Sequence, residues 1–97
     1  MSIIHTSLAW LKEFDDDSVI LLIDGAYSYF LDPKSYPIKK LTAGARAPFS
    51  AIYTLFKKAG VKVYQDIIES NLSKAVKAHL KDKVRGLLFL EWIMTFL

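Results

Sequence analysis

The chain has 97 residues, of which 53% are hydrophobic, and a formal net charge of +3; that is room for one domain, 1–97, with a small core. The apolar excess over the roughly 45–50% of an ordinary domain excludes a disordered tail and favours a second chain covering part of the surface. Cysteine is absent, which excludes disulfide scaffolds, thiolate metal sites, cysteine nucleophiles and CxxC redox chemistry.

Two histidines are too few for a histidine-built metal cage. The longest uninterrupted apolar run, Val19-Ile20-Leu21-Leu22-Ile23, has five residues, against about twenty for a membrane span. Met1-Ser2-Ile3-Ile4-His5 carries neither the basic region nor the long apolar region of a signal peptide. A cytoplasmic location without a membrane partner is the expectation. Charge is uneven: up to Pro33 the net is −5, and from Lys34 onward it is +8. A solvated basic face accounts for the second half. The aromatic–basic interleaving of direct RNA readers is missing, which leaves at most weak or indirect tRNA contact.

Taken in order, the elements predict alternating strands and helices. Residues 2–6 form a short β-prone run, and Ser7 stands as an N-cap ahead of Leu8, Leu11 and Phe14 at helical spacing. Asp15-Asp16-Asp17 predicts a solvated turn, since no glycine or closing glutamate completes a calcium loop. Ser18 to Ile23 lacks alternation and predicts a strand covered on both faces. Asp24-Gly25 ends it, a short apolar helix follows, and Asp32-Pro33 stops that helix. Residues 32–46 form the long irregular stretch.

Pro48 suits the first turn of a helix carrying Phe49, Ile52, Tyr53 and Phe56, with Gly60 as its C-terminal cap. Val61 to Tyr64 predicts the third strand. Asp66 with Glu69 fits a capping box, with Ser70 and Ser73 as alternative caps. Leu72, Val76, His79 or Leu80 give the next helix its apolar stripe, with His79 partly exposed. Val84 to Leu90 predicts the fourth strand, and Glu91 to Leu97 a terminal turn or two. This order implies an α/β domain: a mostly parallel sheet of four to five strands with helices on both faces.

In such sheets ligands gather at the C-terminal ends of the strands, so His5, Asp24, Gln65 and Asp66 are the candidate site residues. No GxGxxG or GxxxxGK[ST] motif is present, so no nucleotide cofactor is expected. Asp24 and Asp66 suit a carboxylate pair for acid–base work, set against ordinary turn and cap roles. Gly44-Ala45-Arg46 suits an anion cradle of backbone N–H groups and a guanidinium, set against the ordinary surface loop that such a stretch more often forms. Tyr27, Trp92, Met94 and Phe96 are the candidate interface residues, because aromatics and Met are enriched in interface cores.

The opening, residues 1–7 followed by Ser18 to Tyr27, resembles the DsrH/TusB family of small sulfur-relay proteins, with its His-Thr strand end and acid-Gly-x-Tyr turn. Gly60 to Asp66 resembles the third strand of the wider DsrE-like superfamily, and Glu91-Trp92-Ile93 its terminal segment. The resemblance implies a Rossmann- or flavodoxin-like layered fold. It also implies a non-catalytic subunit, since the persulfide cysteine of the catalytic subunits has no counterpart near Gln65 and Asp66. Implied partners are DsrE-like and DsrF-like cysteine-bearing chains, in a relay toward tRNA wobble 2-thiouridine or in sulfur oxidation. The alternative is a stand-alone homo-oligomeric domain binding a small ligand or anion through Asp24, Asp66 and Arg46.

Overall fold

Asp15 opens the first long element by accepting a hydrogen bond from the Ser18 backbone N–H at 2.7 Å, and Asp16 and Asp17 in the first turn face the positive end of the helix dipole. In a computed structural model of the chain, which describes residues 8–96, helix α1 then runs Asp16–Leu31. Helices α2 (Ala43–Lys57), α3 (Val61–Glu69) and α4 (Lys74–Met94) follow. Short 3-10 turns at Ala9–Glu13 and Ile38–Lys40 precede α1 and α2.

The expected α/β sheet is overturned: no strand occurs among the described residues. The run 18–23 is helical. Val19, Leu22, Ile23 and Ala26 are buried at i, i+3, i+4 and i+7, while Leu21 is 69% exposed. A five-residue apolar run does not distinguish a covered strand from a helix face; the length of the whole segment does. The helix also continues through Asp24-Gly25, which was expected to end the strand. Gly25 is needed there for another reason: a Cβ at this position would lie 2.6 Å from a ring carbon of Tyr36. The Asp32-Pro33 stop does hold. Asp32 caps the end of α1 and accepts the Lys34 N–H at 3.1 Å.

Helix α2 buries Phe49, Ile52 and Phe56, the stripe expected of it, but begins at Ala43, so Pro48 lies inside rather than in its first turn. The third expected strand is α3. Val63, Asp66 and Ile67 are buried at helical spacing, and four alternating residues, 61–64, were too few to exclude this. Gly60 precedes α3 in extended backbone instead of capping α2. Ser73 is the cap of α4, accepting the Val76 N–H at 3.2 Å. The stripe Val76, Leu80, Val84 and Leu87 runs through the segment expected as a fourth strand, and the expected terminal turns are the end of the same helix. The first expected strand, with His5, lies outside the described residues.

Helix α1 is the centre, packed on α2 and on α4, while α3 packs on α4. Its seam with α2 is aromatic and antiparallel: Tyr27 meets Phe56 at 5.6 Å, Tyr29 meets Tyr53 at 5.0 Å, and Tyr36, just beyond α1, stacks on Phe49 at 5.3 Å. Toward α4 the order is parallel. Asp24 pairs with His79, and Tyr27 reaches Lys83 and Gly86.

Candidate functional site

Two regions carry the functional candidates. The first lies on the α1–α4 seam. Asp24 Oδ1 and His79 Nε2 share a hydrogen bond of 2.6 Å, and Lys83 Nζ stands 3.7 Å from the same oxygen. Lys83 also lies 5.0 Å from the centre of the Tyr27 ring, a cation–π contact. His79 and Lys83 are one turn apart on the edge of α4 that faces α1, so helical spacing alone brings both to one carboxylate. Beside them Tyr27, Asp82, Lys83, Arg85, Gly86 and Phe89 line an open groove of about 360 Å³. This cluster ties two helices together, and its rim offers two cations to solvent.

Asp66, the expected companion of Asp24, belongs to a different cluster. It is buried on α3, where Lys62 one turn earlier donates to its Oδ1 at 2.9 Å. That bond and the carboxylate charge raise the Lys62 pKa above its ordinary value. Gln65, beside it, is exposed. The two aspartates therefore serve separate ion pairs and do not form an acid–base dyad. The expected anion cradle is also partly used up, because the Ala45 and Arg46 N–H groups both donate to Thr42 O in the first turn of α2. No group of three His, Asp or Glu able to hold a metal occurs among the described residues.

The second region is the far end of α4. Phe89, Leu90, Trp92, Met94 and Phe96 are all exposed, Trp92 by 60% and Phe96 by 73%. Phe89 stacks on Trp92 at 6.2 Å, and Trp92 meets Phe96 edge-on at 4.9 Å. At about 100° per residue, Phe89, Trp92, Ile93 and Phe96 form an i, i+3, i+4, i+7 stripe across the helix from Val76, Leu80, Val84 and Leu87. The end of α4 thus has a second apolar face that its own core does not cover. Tyr27, expected with this group, is instead half-buried at the seam and lines the groove.

His79 is the site residue that the sequence pattern understated. The signal was its place four residues before Lys83 on a helix that runs unbroken to Met94. Comparison with protein-family models finds no match, and neither curated proteins nor solved structures give one.

Proposed function

We propose that this chain is a non-catalytic binding module that attaches to a larger body through the last turns of α4. The sulfur-relay resemblance, carried by the opening residues, the missing cysteine and the apolar excess, implied a layered sheet fold, whereas no strand occurs among the described residues. Trp92, Met94 and Phe96, the candidate interface residues, supply the contact. One observation carries it: a helical stripe of aromatic side chains on the face of α4 turned away from the core. Contiguous exposed apolar patches of this kind mark interaction sites.

Fractionation of a lysate from cells making the chain tests the reading. The wild type should travel with an assembly or particulate material well above 11.0 kDa, while Trp92→Glu/Phe96→Glu should run as the free chain with unchanged far-UV circular dichroism. A wild type that runs free overturns the proposal.

A further inference from the structure

We infer that the body α4 joins is an assembly of this chain with itself, in which a second copy lies along α4 in antiparallel order; the inference rests on the attachment reading above. Ala75, Ala78, Asp82, Arg85, Phe89 and Trp92 follow one another along α4 at steps of three and four residues. That is the spacing of a seam between two helices. All six are exposed. At about 100° per residue the series lies across the helix from Val76, Leu80, Val84 and Leu87, so the chain's own core leaves it open along its length. No helix among the described residues is long and apolar enough to cross a membrane. A second chain is the cover that the apolar excess of so small a domain favours.

The order of residue types within the series identifies that chain. It is small at the start, charged in the middle and aromatic at the end. A copy laid alongside in the opposite direction, about a two-fold axis between Lys83 and Val84, sets Asp82 against Arg85 of the second copy. By the same symmetry Arg85 meets Asp82 of the second copy. One step outward, Ala78 faces Phe89 of the second copy, and a further step sets Ala75 against its Trp92. Each large ring thus meets a residue small enough to leave it room. Ala78, Lys81, Asp82 and Arg85 border an open hollow of about 240 Å³, which is where Phe89 of the second copy is seated. Phe96 continues past the paired helices, over Asn71 of the second copy.

Charge fixes the direction. Asp82 and Arg85 are in no ion pair among the described residues, whereas Asp24 and Asp66 each have one. Two copies laid parallel and in register would set Asp82 on Asp82 and Arg85 on Arg85, with ring against ring and alanine against alanine. Like charges in facing positions oppose association. Antiparallel order turns the same four charges into two opposite pairs. A charged layer within an apolar seam costs stability and in return specifies register and partner.

The test uses the purified full chain. Sedimentation equilibrium should return twice 11.0 kDa. Asp82→Arg alone and Arg85→Asp alone should each weaken self-pairing more than about tenfold, with unchanged far-UV circular dichroism. The double variant Asp82→Arg/Arg85→Asp restores both opposite pairs and should associate as the wild type does. Mixed with isotope-labelled wild type, it should pair only with itself in native mass spectrometry, because a mixed antiparallel pair sets like charges together. Mixed pairs at or above the random proportion overturn the antiparallel order. Single variants that associate as tightly as the wild type, or a double variant that does not, overturn the register. A wild type that is monomeric when pure but retained in the lysate assigns the stripe to a different protein and overturns self-pairing alone. A chain free in both overturns the attachment reading as well.

Discussion

A methyl group at Gly25 would meet the Tyr36 ring at 2.6 and 2.7 Å, and that ring is itself stacked on Phe49. The same methyl at Gly86 would find its nearest neighbour, the Tyr27 hydroxyl, at an ordinary 3.6 Å. Both glycines sit in helix interiors, where glycine costs about 1 kcal/mol relative to alanine. Gly86→Ala should therefore raise stability by about 0.5–1 kcal/mol. Gly25→Ala should lower it by about 1–3 kcal/mol, as overpacking does. Urea unfolding of the two variants separates them by sign. The Asp24–His79 bond is half-exposed, so a double-mutant cycle with Asp24→Asn and His79→Gln should return a coupling of about 0.5–1 kcal/mol. A coupling near zero would remove its role as the clasp between α1 and α4.

Helix α1 owes its start to one carboxylate. The Ser18 backbone N–H, and then its hydroxyl, hold the Asp15 pKa below the ordinary value. A depressed native pKa means that the stabilisation is present above the unfolded-state value and is lost as pH falls through the native one. Asp15→Ala should accordingly lower the melting temperature at neutral pH, and the gap should close in acid, once the pH falls below the ordinary aspartate range and through the depressed native value. A gap that persists there would assign the loss to backbone propensity instead.

Legibility in the sequence also divides by element. The stripe of Phe49, Ile52, Tyr53 and Phe56 and the serine before α4 were readable, because their periodicity and cap are complete within the segment. The runs 18–23, 61–64 and 84–90 were not. The first and last are densely apolar parts of longer helices and carry no period, while 61–64 alternates over too few residues to decide. Asp24-Gly25 compounded the error, since an acid–glycine pair signals a turn unless something packs on the glycine, and Tyr36 does so from eleven positions away.

At the scale of the molecule, the charge reversal at Pro33 does not divide the bundle into an acidic and a basic end. Lys12 and Asp16 both border Ser73 at the start of α4, Lys74 and Lys77 follow in its first turns, and Glu91 stands in its last. The exposure of the apolar tail was legible, because it is too rich in aromatics to be covered by so small a core. The partner of Asp24 was not legible. His79 lies fifty-five positions away, and only a packed arrangement of α1 beside α4 brings them together.

That distance along the chain also governs assembly. The aromatic seam between α1 and α2 closes across a short connection, at little loop entropy. The parallel contact of α1 with α4 must wait for the chain to traverse two intervening helices, and low-contact-order pairings form sooner. Until α4 docks, the hairpin of α1 and α2 stands with one apolar flank open, so the last-arriving helix is both the lid of the core and the bearer of the exposed stripe. Folding and the proposed attachment then draw on the same element, and a surface that captured α4 before docking would compete directly with the native core for it.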